Sequence, residues 1–276
     1  MKKLLLSLLI SVVTTANATP ICKFVLPVGP GGASDTYARL VESHIKDKMS
    51  THIEYRPGAY STSAISFLES NKDFGMLNVP NYFGPTNPHK NPPVEVIQYF
   101  GVSQQAILTN KTDVTVEKLL TDKVTVGIAM LGGPQHLIAK QLQEKNPQVE
   151  IVPFGGDSKA LPSIRNKEID AYVGSMAGVG NWVDDFGFKN ILNVPYPGVT
   201  VKDTTLNSVA IFALMVHKDA TTEQRNHLLN CVGTAISSPG WDNDLRSKYI
   251  TPINLTGREK DKALNNYIKL TNQYGL

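Results

Sequence analysis

The stretch VLPVGPGGASDTYARLV, from Val25 to Val41, contains the pattern that decides the fold. It begins as an apolar strand, breaks at proline and glycine, and continues as a helix. The helix is indicated by largely apolar positions at i, i+3, i+4, i+7, i+8 and i+12, which share one helical face: Tyr37, Leu40, Val41, His44, Ile45 and Met49. Two adjacent glycines and no basic residue therefore stand at the mouth of this helix.

The same succession of strand, glycine pair and helix occurs twice more. Gly132-Gly133 follows the apolar run DKVTVGIAML, and Gly155-Gly156 follows VEIVPF. Further strands are predicted at HIEYR, FGMLNV, VEVIQYFGV, QAILTN, DAYVGSM and VAIFALMVHK. Three helical segments close the chain: Thr222 to Ser237, Pro239 to Lys248, and Gly257 to Gln273. Helices that alternate with strands predict an α/β protein with doubly wound sheets.

The N-terminus has the features of a secretory signal peptide. Two lysines precede an apolar run, Leu4 to Val13, which is shorter than the roughly 20 residues that span a membrane. Small residues at Ala16 and Ala18 fit a cleavage site after residue 18. We therefore expect residues 1–18 to be removed and the protein to be exported, which predicts a periplasmic location.

The chain that remains after cleavage is close to neutral and holds two cysteines. The full sequence of 276 residues has a formal net charge of +3, and the signal peptide contains two of its lysines. This balance argues against binding to nucleic acid or to an anionic membrane surface. Export permits a disulfide between Cys22 and Cys231, which would join the first strand to a late helix. Two free buried thiols are the alternative, because pairing cannot be read from a sequence.

The glycine pairs are suited to binding an anion. In open α/β sheets, ligands bind beyond the carboxyl ends of the strands, where helix N-termini offer unpaired backbone N–H groups. Glycine lets a ligand approach that backbone closely, and the helix dipole favours negative charge. A carboxylate could therefore be held there without lysine or arginine. The other interpretation is that the glycines only make the turns.

Other chemistry finds little support in the sequence. Ser34 and Asp35 are good helix-capping residues, and His136 is either a ligand group or a solvated residue of a first helical turn. The dinucleotide and phosphate-loop fingerprints are missing, so phosphate cofactors are not expected. The histidines lack metal-ligand spacing, and no nucleophile elbow is present. We therefore predict no cofactor, no metal and no enzymatic activity.

Several motifs resemble those of the substrate-binding proteins of the tripartite tricarboxylate transporter family, also called the Bug family. The opening pattern P-x-x-P-G-G-x-x-D-x-x-A-R of that family matches Pro27, Pro30, Gly31, Gly32, Asp35, Ala38 and Arg39. IEYRPGAYS is similar to the family's V-x-N-R-P-G-A-G-G segment, although Tyr60 stands where glycine is usual. GIAMLGGPQHLIAKQL and VPFGGDSKALPSIRNKEIDAYVGS resemble two later family segments. The matches cover most of the chain after residue 18, in order.

The resemblance implies two α/β lobes joined by a double crossover, the type II architecture of periplasmic binding proteins, in which the lobes close on a ligand like a Venus flytrap. The first lobe would comprise residues 19–106 and 212–276, and the second residues 107–211. It also implies a small organic acid as ligand (a di- or tricarboxylate, an amino acid or an aromatic acid), a membrane permease as partner, and a monomer. The predicted ligand-binding residues are Gly31, Gly32, Ala33, Ser34, Asp35, Tyr60, Asn78, Gly132, Gly133, Gln135, His136, Gly155, Asp157 and Ser175.

Capture of a carboxylate for delivery to a transporter is thus the leading hypothesis. A receptor subunit that docks on a sensor kinase would use the same fold. A degenerate binding protein with an altered ligand, or with none, is suggested by Tyr60. An exported enzyme would need an acid–base pair across the cleft, and no convincing pair is found.

Overall fold

The computed structural model describes residues 19–82 and 91–276. The predicted signal peptide lies outside these residues. Within them, no helix is long and apolar enough to cross a membrane. The strands form two main sheets, and the helices pack against both.

The first sheet has six strands in the order β13-β4-β12-β3-β1-β2. Strands β1, β2 and β3 run parallel, whereas β12 is antiparallel to both β3 and β4. The strand that precedes the first glycine pair, β1, therefore lies near one edge of the sheet, between β2 and β3. The bounds are β1 Ile21–Leu26, β2 Ser50–Tyr55, β3 Gly75–Asn78, β4 Val94–Ser103, β12 Ile211–His217 and β13 Ile250–Leu255.

The second sheet has five strands in the order β7-β6-β8-β5-β9. Strand β6 is parallel to β7 and β8, and β5 is antiparallel to β8 and β9. A separate two-stranded hairpin, β10-β11, follows β9. The bounds are β5 Gln105–Thr109, β6 Val124–Ile128, β7 Val149–Pro153, β8 Ala171–Ser175, β9 Lys189–Val194, β10 Gly198–Val201 and β11 Thr204–Asn207.

Ten α-helices and one 3₁₀ turn, Ala59–Ser61, complete the described residues. The helices are α1 Ala33–Ile45, α2 Thr62–Ser70, α3 Val116–Thr121, α4 Pro134–Lys145, α5 Asp157–Arg165, α6 Met176–Val179, α7 Asn181–Phe186, α8 Thr222–Ile236, α9 Trp241–Ser247 and α10 Gly257–Gln273. The α/β class and the doubly wound arrangement are confirmed. Strand–glycine–helix units begin at all three predicted places, with α1, α4 and α5 as their helices.

The chain passes twice between the two sheets. Gln104 alone separates β4 from β5, and residues 208–210 lead from β11 back to β12. The two crossing segments are bonded to each other, because Ser103 N–H donates to the carbonyl oxygen of Ala210 at 2.9 Å. We call the parts built on the first and second sheets the first and second lobe. The predicted lobe limits, 106/107 and 211/212, fall within a few residues of these segments and remain predictions.

A disulfide joins Cys22 of β1 to Cys231 of α8, with Cα atoms 6.0 Å apart. Of the two alternatives that the sequence left open, a disulfide or two free buried thiols, the structure has the disulfide. Both cysteines are fully buried in the core of the first lobe. His227 lies close to both sulfurs, but sulfurs engaged in a disulfide are not thiolate ligands for a metal.

Candidate ligand-binding cleft

A partly open cavity lies between the lobes. Its volume is about 40 Å³. Both lobes supply its walls: Val28, Ala33, Ser34, Asn78, Val79, Asn81, Gln105, Ala129, Met130, Pro134, Gln135, Gly156, Asp157, Ser175, Ala210 and Phe212. The cavity therefore lies where a ligand held between two closed lobes would be found.

Three helix N-termini meet at this cavity. Ala33 and Ser34 begin α1, Pro134 and Gln135 begin α4, and Asp157 begins α5. Helix α1 belongs to the first lobe and the other two belong to the second. The partial charges at each helix N-terminus sum to roughly half a positive elementary charge. The three N-termini together therefore favour an anion without any cationic side chain.

The N-cap residues of these three helices supply no capping side chain. Their N-cap residues are Gly32, Gly133 and Gly156, and none accepts or donates a side-chain capping bond. Helices α3 and α8, which do not reach the cavity, instead have the N-cap residues Thr115 and Thr221, whose hydroxyls accept from backbone N–H groups. Capping side chains satisfy N–H groups that a ligand would otherwise find. Glycine at the three cavity helices keeps that capacity for a ligand.

A hydrogen-bonded network of neutral side chains forms the first-lobe wall. Ser34 Oγ donates to Asn78 Oδ1 at 2.7 Å, and Asn78 Nδ2 donates to Asn81 Oδ1 at 3.2 Å. The Ser61 hydroxyl also donates to Asn81 Oδ1. Because these bonds fix the side chains, the wall is rigid and polar and carries no charge.

The charge of the cavity comes from Asp157, which is 5% exposed. The Tyr172 hydroxyl donates to its Oδ1 at 2.7 Å, and the backbone N–H of Ala33, from the other lobe, also donates to the carboxylate. Burial raises the pKa of Asp157 to about 6, although these two hydrogen bonds act in the opposite direction. The Asp157 carboxylate thus occupies part of the anion-binding site at the N-terminus of α1.

The turn at Gly132 is held by the first lobe. The backbone N–H of Tyr60 donates to Leu131 O at 3.3 Å, and the Tyr267 hydroxyl donates to Gly132 O at 3.0 Å. A Cβ atom at position 132 would lie 2.3 Å from Tyr60 Cδ1, so only glycine allows this approach. Asn81 Nδ2 also lies 3.1 Å from Met130 Sδ. We call these contacts the glycine-turn clasp.

A second set of contacts closes the other side of the cleft. Thr36 Oγ1 donates to Ala177 O at 3.0 Å, and Ser158 Oγ lies 3.4 Å from Pro30 O. Gly178 faces the N-terminus of α1 so closely that a Cβ atom there would lie 2.9 Å from Ala33 N. The lobes are therefore closed on each other.

The structure brings six of the predicted site residues to the cavity wall: Ala33, Ser34, Asn78, Gln135, Asp157 and Ser175. The others shape the turns or the clasp: Gly31, Gly32, Asp35, Tyr60, Gly132, Gly133, His136 and Gly155. Asp35 Oδ2 accepts from the Gly31 N–H at 2.9 Å, and His136 Nδ1 accepts from the Gly132 N–H at 3.1 Å. Burial lowers the pKa of His136 to about 4, which suits this acceptor role.

Three polar or sulfur-containing residues of the cavity wall are absent from the predicted set: Asn81, Gln105 and Met130. Gln105 opens β5, whose remaining residues are largely apolar, and it is fully buried. A polar residue at the start of a buried strand is the one signal that could have indicated it. Asn81 and Met130 lie in loops after strands, and only the closed lobes bring them together.

Comparison with solved structures shows which fold carries this cleft. The periplasmic binding protein BugD matches with a TM-score of 0.74 at 16% sequence identity, over 94% of this chain and 96% of BugD. MatC from Rhodopseudomonas palustris, solved with malate, matches with a TM-score of 0.73 at 14% identity, over 91% of this chain and 99% of MatC. Rpa4515 of R. palustris, solved with adipate, matches with a TM-score of 0.75 at 15% identity, over 92% of this chain and 94% of Rpa4515.

The chain has the fold of a periplasmic binding protein. The resemblance indicated by the sequence motifs is thereby confirmed at the level of the fold, including its two lobes. No family model matches the chain, and no curated protein matches it by sequence. In this periplasmic-binding-protein fold, the cavity between the three glycine-capped helices lies between the lobes and is the candidate ligand site.

Proposed function

We propose that the chain is a periplasmic solute-binding protein that captures a small organic carboxylate between its lobes. The observation that carries the proposal is the meeting of three helix N-termini with glycine N-caps at one cavity between the lobes. Backbone N–H groups at these helix ends can donate to carboxylate oxygens, and charge-assisted bonds of this kind are stronger than neutral ones. Neighbours in the same fold were solved with malate and with adipate, both carboxylates.

The chain acts without chemistry of its own in this proposal. Ligand binding favours the closed form, and a membrane permease of the tripartite tricarboxylate type accepts that form. The motifs around Gly31 and Arg56 support this partner, as does the resemblance to Bug-family proteins. Export through the N-terminal signal would place the protein, as a monomer, in the periplasm.

A degenerate binding protein is the second candidate. It is favoured by the glycine-turn clasp, since Tyr60 and Tyr267 hold the second lobe without any ligand. The carboxylate of Asp157 also fills part of the anion-binding place. In that case the closed form would be populated whether or not a solute is present.

Thermal unfolding of the mature protein with a panel of acids distinguishes a carboxylate-binding protein from a degenerate one. The panel holds mono-, di- and tricarboxylates, amino acids and aromatic acids. A ligand at 100 times its dissociation constant adds about 2.7 kcal/mol, which raises the Tm by several degrees. No shift from any acid would overturn the proposed capture and support the degenerate protein.

A pair of variants tests the place of binding. Gln135→Glu adds a carboxylate to the cavity wall and should abolish the Tm shift, because two like charges would share a buried site. Gln148→Glu makes the same change at an exposed position of the same lobe and should leave the shift intact. A full shift in Gln135→Glu would place the ligand elsewhere.

A further inference from the structure

Among the described residues that line the cavity, Asp157 is the only charged one. The surrounding side chains are apolar, hydroxyl or amide groups. A cavity built only to hold carboxylates would contain no carboxylate of its own, because like charges repel strongly in a buried site. The presence of Asp157 therefore restricts which charged groups the ligand can carry.

The groups that face this carboxylate leave its charge uncompensated. The Tyr172 hydroxyl of β8 and the Ala33 N–H of α1 donate to it, and both are neutral donors. Gly32 and Gly178 pack against it so closely that Cβ atoms there would lie 3.2 and 2.6 Å from Oδ2. No described lysine, arginine or histidine forms an ion pair with it. A buried carboxylate without a cation lowers stability unless something else supplies the charge.

A second acceptor on the same cavity is also unsatisfied. Gln105 is fully buried and lines the cavity, and its Oε1 has no hydrogen-bond partner among the described residues. Its Nε2 lies 3.4 Å from Ser103 O, which fixes the amide with Oε1 as the free end. A buried acceptor without a donor is unfavourable, and a carboxylate oxygen cannot supply one. The cavity thus presents helix ends with glycine N-caps, an uncompensated charge at Asp157 and an unmet acceptor at Gln105.

We propose that the captured acid also carries a protonated amine, and that Asp157 is the counter-ion of this amine. The ligand class is then a small amino acid, with its carboxylate on the first-turn N–H groups of α1 and α4. Its ammonium group supplies the positive charge that Asp157 lacks and a donor for Gln105 Oε1. This inference rests on the proposed function and narrows its ligand class.

The amine is tested with acids that differ only in that group. Calorimetric titration at pH 7.5 compares succinate with aspartate, glutarate with glutamate, and propionate with alanine. For the pair whose skeleton fits, the amino acid should bind the wild-type protein at least about tenfold more tightly, the usual effect of a hydrogen bond to a charged group. Plain acids that bind as tightly as their amino partners would overturn the inference while leaving carboxylate capture intact. No binding by any acid would overturn both.

The variant Asp157→Asn tests whether Asp157 is the counter-ion of the amine. This variant keeps the shape of the side chain but loses its charge, so the preference for the amino acid should fall below about threefold. Asp184→Asn, at an exposed carboxylate of the second lobe, should keep the full preference. An undiminished preference in Asp157→Asn would exclude Asp157 as the counter-ion. The wild-type comparison requires no variant, so the amine is tested even if Asp157→Asn folds poorly.

Discussion

At position 157 the chain places a carboxylate where burial disfavours its charge. The unfolded chain exposes the same group to water, where its pKa has the ordinary value of 3.8, whereas burial raises it to about 6 in the folded protein. The folded state therefore binds a proton at Asp157 more tightly than the unfolded state does. This residue lowers the stability of the ligand-free protein at neutral pH.

The pH dependence of unfolding should reveal this effect. The contribution of Asp157 is fully present below pH 4 and is lost as the pH rises through 6, by up to about 3 kcal/mol. Asp157→Asn should remove that slope and leave the ligand-free protein about 2 kcal/mol more stable at pH 7.5. Urea unfolding between pH 4 and 7.5 measures the difference. Parallel profiles for the wild type and the variant would contradict the assignment.

Removal of two buried tyrosine hydroxyls should affect ligand affinity differently. The Tyr267 hydroxyl bonds Gly132 O across the lobes, whereas the Tyr37 hydroxyl is buried in the first lobe without a partner among the described residues. Tyr267→Phe should weaken closure by about 1 kcal/mol and lower ligand affinity roughly fivefold. Tyr37→Phe should leave affinity unchanged and stability equal or higher, because no bond is lost. Equal affinities in both variants, by calorimetry, would show that the Tyr267 bond does not support closure.

Among the elements, α6 shows how a missing side chain can set the distance between lobes. A Cβ atom on Gly178 would lie 2.6 Å from Asp157 Oδ2 and 2.9 Å from Ala33 N, a backbone atom of the other lobe. Gly178→Ala should therefore keep the lobes from closing fully and lower ligand affinity by at least tenfold, or about 1.4 kcal/mol. Small-angle scattering of the variant with ligand should show a larger radius than that of the wild type.

The matched control is Gly233→Ala on α8. A Cβ atom there meets no other atom within 4 Å. Alanine should raise stability by roughly 0.5–1 kcal/mol through helix propensity and leave affinity unchanged. A normal radius and affinity in Gly178→Ala would show that the neighbouring backbone yields at little cost.

Most of the helices that the sequence predicted have a long repeat or follow a glycine pair, and the short α9, within the predicted segment Pro239 to Lys248, is the exception. Helices α1, α4 and α5 follow glycine pairs, and α8 and α10 are long enough for their periodicity to be evident. Helices α3 and α7, with six residues each, are shorter than the window that a helical repeat requires. The strands β9, β10 and β11 were not predicted either. Strands β9 and β10 are largely half-exposed without clear alternation, and β11 alternates but has only four residues.

The site was predictable only in part, for a related reason. Ser34 and Gln135 each stand two residues after a glycine pair, so local sequence indicated them. Asn81 and Met130 come from different lobes, and their 3.1 Å contact depends on closure. No local pattern records the distance between two lobes.

For the whole molecule, the disulfide should stabilise the first lobe without affecting capture. Cys22 and Cys231 are 209 residues apart in sequence, and neither lines the cavity. Replacing both with alanine should lower the free energy of unfolding by about 2–5 kcal/mol, because the unfolded chain gains freedom and buried sulfur is lost. Urea unfolding measures this loss, and calorimetry should find unchanged ligand affinity. A change in affinity larger than the change in stability would show that the bridge acts on the cleft.

The paired crossing segments restrict how the molecule can move. The two crossing segments lie side by side and share the bond from Ser103 to Ala210, which favours a hinge at this place. We therefore expect opening to change mainly the angle between the lobes. One distance between a pair of spectroscopic labels, one on each lobe, should then report how far the molecule has opened.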